Sequence, residues 1–235
     1  MENPFLDKHN NSQVSLNQFF ARIYGIVGIG VAISALTSYL TMNVFWESAQ
    51  NLVENAGIGI FIIWLLPLIL IFPMQNAAMK NKPTALPMFI GFSILMGFMM
   101  SFTVVAYTAS DVTLAFITTA GMFFGLSVYG RTTKRNLSGM GRAMMGMLIG
   151  LIIAGIINFF LRSPMVVFVS SIISVIVFSG LIAWDNQKIE QIYRQNNGNV
   201  NNGWAISMAL SLYLDFINLF LTILRLFGFM GNSRD

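Results

Sequence analysis

Seven long stretches of this chain are dominated by apolar residues, and each meets or approaches the length of about 20 residues that a membrane-spanning helix needs. The composition agrees, since 56% of the 235 residues are hydrophobic and 9% are charged, against about 25% charged in soluble domains. The sequence therefore predicts an all-α polytopic membrane protein with seven transmembrane helices. We place them at residues 21–42, 57–73, 86–107, 112–130, 143–161, 166–184 and 204–226.

The domain organisation follows from these stretches. Residues 1–20 are predicted to form a cytoplasmic tail, residues 21–230 the transmembrane domain and residues 231–235 a short C-terminal tail. The first apolar stretch exceeds the roughly 7 to 15 residues of a signal-peptide core, so we expect it to be retained. The second stretch contains Pro67 and Pro73. Pro67 removes a backbone hydrogen bond and predicts a kink, which we favour over a gating hinge.

The distribution of lysine and arginine predicts the orientation. With the N-terminus inside, ten of the 13 basic residues lie in inner segments and three in outer ones. The first outer connection, residues 43–56, carries two glutamates and no basic residue. We therefore expect an inner-membrane protein with a cytoplasmic N-terminus and an external C-terminus. The same bias accounts for the basic loop at residues 131–142, so specific recognition of anionic lipid is not needed to explain it.

Several classes of site are disfavoured by composition. The chain has no cysteine, which excludes disulfides and thiolate chemistry, and its one histidine, His9, lies in the polar tail. Histidine-ligated zinc chemistry within the membrane is therefore not expected. The net charge of +4 is not accompanied by a basic and aromatic stripe, so we expect no nucleic-acid partner and no cofactor.

Small residues recur at a spacing of four in two of the predicted helices. Gly121 and Gly125 form one pair, and Gly146 and Gly150 form the other. Such spacing allows helices to approach closely. We expect packing within one chain here, in preference to a dimer face, because a seven-helix bundle has many internal contacts to make.

Two aspartates stand where a charge is most costly. Asp185 directly follows an apolar run, and Asp215 is embedded in another. An ionisable group at bilayer depth costs at least about 2.5 kcal/mol by insertion scales, and such groups usually mark a functional site. These two carboxylates are therefore the leading candidates for function.

A polar stripe runs along one face of the seventh helix. Its spacings of 4, 4, 3 and 4 match the helical period. A stripe of this kind predicts a helix in the middle of a bundle or beside a watery path. A simple seam of helix–helix hydrogen bonds remains an alternative. The residues of the stripe are Ser207, Ser211, Asp215, Asn218 and Thr222, of which the serines, the asparagine and the threonine are candidates for lining a path.

The two aspartates could act as a pair. Two carboxylates in contact cannot both ionise cheaply, so they would share a proton until alkaline conditions remove it. Repulsion would then separate the helices and expose hard oxygen ligands suited to transient binding of calcium. Alone, Asp185 could instead be an interfacial carboxylate near Lys188. Asp215 lies 11 residues past Trp204, about 16 Å along a helix, so the sequence does not bring the pair together.

Two segments around these aspartates resemble the Bax inhibitor-1 family of membrane proteins, in a bacterial form. They are Gly-Leu-Ile-Ala-Trp-Asp-Asn-Gln-Lys-Ile at residues 180–189 and Ala-Leu-Ser-Leu-Tyr-Leu-Asp-Phe-Ile-Asn-Leu-Phe-Leu at residues 209–221. The resemblance implies that the last helix lies centrally between two three-helix layers. It also implies a calcium leak controlled by a di-aspartyl pH sensor, which matches Asp185 and Asp215.

The chain departs from this family in one respect. Bacterial relatives can pair an arginine of the second helix with the site, whereas no basic residue lies between Arg22 and Lys80 here. Gln75 or Asn76 could supply a neutral partner. Without the cation, the pair is expected to keep its shared proton to higher pH.

Three functions compete at this stage. The first is a pH-gated calcium leak, which involves no catalysis. The second is a non-transporting regulator of a membrane-anchored AAA+ protease, engaged through the polar tail at residues 1–18, as the resemblance implies for some bacterial relatives. The third, an intramembrane aspartyl protease, is disfavoured because the chain lacks Gly-x-Gly-Asp and Pro-Ala-Leu motifs.

Overall fold

The computed structural model describes residues 14–57 and 59–231, with the side chains of residues 14–57 and 64–229. Regular secondary structure in this part of the chain is entirely helical and consists of eight helices. They are α1 (Leu16–Asn43), α2 (Trp46–Asn55), α3 (Gly59–Met79), α4 (Ala85–Val104), α5 (Ala109–Thr132), α6 (Ser138–Leu161), α7 (Pro164–Gln195) and α8 (Asn202–Gly231).

Six of these helices, α1 and α4 to α8, are long and apolar enough to cross a membrane. The all-helical membrane class predicted from the sequence is thereby confirmed. The second predicted span corresponds to α3, a helix of 21 residues. This helix continues through Pro67 and Pro73 and ends later than predicted.

The ends of three elements differ from the sequence prediction. The sixth predicted span ends at Trp184, whereas the helix that contains it, α7, continues for 11 more residues to Gln195. The predicted outer connection at residues 43–56 contains the ten-residue helix α2. At the N-terminus, Ser15 caps α1 in a capping box with Gln18, so part of the predicted tail is helix. Residues 1–13 of that tail lie outside the described residues.

Helix α8 is the most enclosed of the candidate spans. Within its most apolar window 78% of the residues are buried, against 39% for α4, the next highest. It packs against α1, α3, α4, α5 and α7, while α1 and α3 pack on α4, and α5 and α6 pack on α7. A membrane helix with a polar stripe belongs inside the bundle, because lipid would leave the stripe without hydrogen-bond partners. The polar residues of α8 are thereby kept away from lipid.

Tyr213 joins α8 to α1 and α4. Its ring is fully buried and lies edge-on to Phe89 and Phe92, with centroid distances of 5.4 and 6.1 Å. Its hydroxyl forms a 2.6 Å hydrogen bond with the Ser34 hydroxyl, which also lies 2.8 Å from the Ser93 carbonyl oxygen. A buried tyrosine needs a partner of this kind for its polar end. The three helices are thus held by apolar and polar contacts together.

The four glycines predicted to mediate close packing do not do so. A Cβ atom added to Gly121, Gly125, Gly146 or Gly150 would meet nothing within 4 Å, so the expectation of packing within the chain is wrong at these positions. Spacing gives the shared face of two residues but not the direction in which that face points. Elsewhere Gly130 lies against the backbone of Ala183.

The connection between α7 and α8 turns the chain back within six residues, 196–201. Asn197 and Gly198 take left-handed conformations, with φ of 50° and 75°. The Gly198 amide donates a 3.0 Å hydrogen bond to the Tyr193 carbonyl, as in a helix terminated by a left-handed residue. The two helices that carry the aspartates are therefore adjacent in space as well as in sequence.

The glycine contacts predict opposite effects of one substitution at two positions of α5. Gly130→Ala should lower the free energy of unfolding by about 1 to 3 kcal/mol, because the new methyl group meets backbone atoms that cannot move aside. Gly125→Ala, on an open face, should raise it by up to about 1 kcal/mol, since alanine is the better helix former. Reversible unfolding in mixed micelles measures both; a stabilised Gly130→Ala variant would contradict the close contact.

Candidate functional site

The length of α7 brings the two aspartates to similar depth. Asp185 lies ten residues before the end of α7 at Gln195, or about 15 Å along the helix. Asp215 lies 13 residues after the start of α8 at Asn202, or about 20 Å. Since the helices are joined by a short turn and pack together, the depth mismatch expected from the sequence does not exist.

Both aspartates are enclosed by protein. Each side chain is 7% exposed, and Asp215 experiences the charges of both Asp185 and Lys188. Its Oδ2 atom is buried and has no hydrogen-bond partner among the described residues. Within the described residues, no group of three or more histidines and acids could hold a metal ion. The site is therefore a pair of carboxylates with few donors around it.

Lys188 lies one turn after Asp185 on α7 and interacts with both carboxylates through its charge. Its ammonium is 5.2 Å from the centroid of the Trp184 ring. The described part of the chain contains one ion pair within 4.0 Å, between Arg194 and Glu190, and Lys188 is not part of it. Asp185 is thus buried near Lys188 without an ion pair to it, and its position relative to the membrane interface stays a prediction.

The remaining polar residues of the α8 stripe differ in their surroundings. The Ser207 hydroxyl donates a 2.6 Å hydrogen bond to Gln75 Oε1 on α3, whereas Asn218 and Thr222 donate to carbonyl groups of α8 itself at 2.8 and 2.7 Å. Ser207 and Thr222 are buried, and Ser211 and Asn218 are half-buried. At Ser207 the stripe makes a helix–helix hydrogen bond. A role of these four residues in lining a path stays a prediction.

The two candidate neutral partners on α3 lie away from the aspartates. Gln75 contacts Ser207, which precedes Asp215 by eight residues, or about 12 Å of helix. Asn76 is exposed. The positive charge near the two aspartates is instead that of Lys188. From the sequence alone, Lys188 is expected only as a partner of Asp185.

Asn186, which the sequence analysis did not single out, connects three helices beside Asp185. Its side chain is fully buried and accepts a hydrogen bond from the Tyr24 hydroxyl of α1. Its amide nitrogen donates to the Ser127 hydroxyl of α5 at 3.1 Å and to the Ile182 carbonyl at 2.8 Å. The amide therefore fixes α7 against both neighbours at the level of the pair.

Gln187, also not singled out, braces the connection between α5 and α6. Its Nε2 donates to the Arg135 carbonyl at 2.7 Å, and its Oε1 accepts from the Leu137 amide at 2.7 Å. Consecutive helical residues point about 100° apart, so burial of Asp185, Asn186 and Gln187 requires neighbours on several sides of α7. The polar run directly after the apolar stretch is the signal in the sequence that could have identified these residues.

Comparison with known proteins agrees with this arrangement. The family model described as "Inhibitor of apoptosis-promoting Bax1" matches residues 16–233. The chain belongs to the Bax inhibitor-1 family. This match confirms the resemblance inferred from the two aspartate-containing segments.

Bacterial members of this family are similar to the chain over almost its whole length. The uncharacterised protein YrjE of Lactococcus lactis is 53% identical over 220 residues, covering 94% of each chain. An uncharacterised membrane protein of Streptococcus pyogenes serotype M1 is 49% identical, covering 94% of this chain and 96% of the relative. The inner membrane protein YbhL of Escherichia coli K12 is 36% identical, covering 96% and 97%. The protein is therefore a bacterial-type membrane member of the Bax inhibitor-1 family.

The chemistry open to this site follows from the two carboxylates. Neighbouring carboxylates in a poorly solvated place are costly to ionise together, and their protons come off in coupled steps. Once ionised, their oxygens suit hard cations. Neither step requires a nucleophile or a resident cofactor. The site is suited to binding protons and to brief contact with a cation.

The hydrogen bond between Tyr24 and Asn186 predicts a measurable coupling. Tyr24→Phe and Asn186→Ala should each destabilise the protein, and the double variant should lose about 1 kcal/mol less than the sum, because the shared bond is lost only once. A double-mutant cycle of unfolding free energies in micelles gives this value. Tyr39→Phe, at an exposed tyrosine of α1, serves as the control and should change stability by less than about 0.5 kcal/mol. Strictly additive losses would contradict the link.

Proposed function

We propose that this protein is a pH-sensitive cation leak in the bacterial inner membrane, with calcium as the transported ion and with Asp185 and Asp215 as its gate. One observation carries the proposal: two carboxylates are enclosed on adjacent helices that pack against each other. Such residues in membrane segments usually belong to an ion or proton pathway. The proposed activity is transport without catalysis or a cofactor.

The proposed topology has seven spans, with α3 as the second and with the N-terminus in the cytoplasm and the C-terminus outside. The helix contacts support two layers of three helices around α8. In this arrangement α1, α3 and α4 form one layer, since α4 packs on both others, and α5, α6 and α7 form the other, since α7 packs on both others. The basic residues support the orientation, because ten of 13 then lie inside.

The proposed gate works through proton linkage. In the closed state the two carboxylates share one proton, which removes the repulsion between them. Loss of this proton leaves two negative charges and favours separation of α7 from α8. Because the closed state binds more protons than the open state, raising the pH shifts the population toward the open state. The leak should therefore increase with pH.

The proposed path for the cation passes the ionised pair and the polar stripe of α8. Calcium prefers oxygen ligands and tolerates irregular geometry. Two carboxylates and the half-buried Ser211 and Asn218 could replace part of its hydration shell in turn. The contact with Asp185 and Asp215 would be transient, as transport requires.

The gate predicts a loss of pH dependence when one aspartate is neutralised. Calcium flux into liposomes holding the native protein should rise between acidic and alkaline pH, and Asp215→Asn or Asp185→Asn should remove this dependence, because a single carboxylate has no neighbour with which to share a proton. Asp111→Asn, which changes the same residue type in the first turn of α5, is the matched control and should keep the native profile.

Two results of the flux experiment would count against the gate. A pH profile that survives both aspartate substitutions would show that other groups sense the proton. Flux that is absent at every pH would instead favour the regulator of a membrane-anchored AAA+ protease. That alternative depends on the tail at residues 1–18, and deletion of residues 1–13 would then test it by changing protease activity in cells.

Lys188 predicts the direction in which the flux midpoint moves. It lies one turn after Asp185 on α7, and a neighbouring positive charge favours a carboxylate over a carboxylic acid, so in the proposed gate Lys188→Gln should let the pair keep its proton to higher pH. The midpoint of the flux against pH should move in the alkaline direction by up to about one unit. Lys134→Gln, at an exposed lysine, should leave the midpoint unchanged. An acidic shift in Lys188→Gln would contradict the assigned role.

A further inference from the structure

A long apolar groove separates α1 from α5. It consists of a cavity of about 640 Å³ and a second of about 390 Å³. The two are continuous, because both are lined by Val31, Ala35, Phe116 and Phe216. Phe216 belongs to α8, which forms the floor. Cavities of roughly 300 to 1,000 Å³ are typical of sites for small ligands.

The walls of the groove are built from small and apolar residues. On α1 the lining includes Gly28, Ala32 and Ala35, which leave space between the helices. On α5 it runs from Val112 in the smaller cavity to Arg131 in the larger. These residues are about 28 Å apart along the helix, close to the thickness of about 30 Å of a hydrocarbon core. Since both walls are candidate membrane spans, the groove lies where lipid chains are the surrounding solvent.

Arg131 places a positive charge at one end of the larger cavity. Its guanidinium lies 4.1 Å from the centroid of the Phe20 ring and donates a 3.4 Å hydrogen bond to Asn17 Oδ1. It is not part of the ion pair found among the described residues. A guanidinium held in this way, with no carboxylate of the described residues within 4.0 Å, is suited to a phosphate, whose oxygens accept two parallel hydrogen bonds.

The dimensions of the groove favour a lipid chain over a helix of another protein. From Phe116 to Arg131 the larger cavity extends about 22 Å along α5. Even the whole empty space of this cavity, about 1270 Å³, gives a mean cross-section of only about 57 Å² over this length, whereas a helix 10 Å wide needs about 80 Å². An extended hydrocarbon chain is the narrower occupant.

We propose that this groove binds one anionic phospholipid of the inner leaflet, with an acyl chain between α1 and α5 and the phosphate at Arg131. The orientation agrees with the basic end of α5 lying in the cytoplasm, where anionic headgroups add to the attraction. Arg131 thus has a specific ligand in addition to its contribution to the positive-inside bias. The proposal concerns binding alone and does not depend on ion transport.

The test measures lipid affinity of the full-length protein purified in detergent, by native mass spectrometry with phosphatidylglycerol and phosphatidylcholine of identical chains. Gly28→Leu should fill the groove, because Gly28 lines the larger cavity and a Cβ added there meets no other atom within 4 Å. Gly25→Leu is the matched control, since Gly25 is equally open but does not line the cavity. Arg131→Gln removes the charge, and Arg142→Gln removes an exposed charge elsewhere on the same side.

The native protein should bind phosphatidylglycerol at least about tenfold more tightly than phosphatidylcholine, the ratio expected for one charge-assisted contact. Arg131→Gln should abolish this preference, and Gly28→Leu should weaken binding of both lipids, while both controls behave like the native chain. If Gly28→Leu does not fold, Ala32→Phe replaces it, because Ala32 lines the same cavity.

Three outcomes would overturn the proposal. Equal affinity of the native chain for the two lipids would mean ordinary solvation by the bilayer. Losses in the controls as large as in the test variants would mean that the groove is not the site. A dimer that Gly28→Leu dissociates would assign the groove to a second copy of the chain.

Discussion

The enclosure of α8 by other helices is the interaction on which the structure depends. Without neighbouring protein, its aspartate, serines, asparagine and threonine would face hydrocarbon, where unsatisfied polar groups cost several kcal/mol each. Contacts with α1, α3, α4, α5 and α7 remove that exposure. Some are polar, as at Tyr213 with Ser34 and at Ser207 with Gln75. The helix that is most costly to expose is therefore the one around which the others assemble.

The sequence was sufficient for the class of fold and for the family, and it pointed to two aspartates that the structure encloses. A long apolar stretch can adopt few structures in a bilayer, because the backbone must satisfy its own hydrogen bonds. The apolar stretches of this chain are helices. The family could be inferred from two short segments around Asp185 and Asp215. The same segments could not give the end of α7, because Asp185, Asn186 and Gln187 have the composition of a loop.

The groups that allow α7 to continue past Asp185 lie far away in the sequence. Asn186 is satisfied by Tyr24, 162 positions earlier, and by Ser127, 59 positions earlier. Gln187 is satisfied by the backbone of Arg135 and Leu137. The helix propensities of residues 185–187 give no information about these distant partners. Glycine spacing failed for a related reason, since Gly125 and Gly130 lie on one helix but only Gly130 faces a neighbour.

The short connection at residues 196–201 joins α7 and α8 at one end of the helix pair. Because the turn contains Asn197 and Gly198, any separation of the two helices must increase with distance from it. For carboxylates about 15 to 20 Å along the helices from this turn, a rotation of about 5° corresponds to a displacement of about 1.5 Å, comparable to half a hydrogen-bond length. A small angular change at the turn is thus magnified where the charges are, and the far end of the bundle moves most.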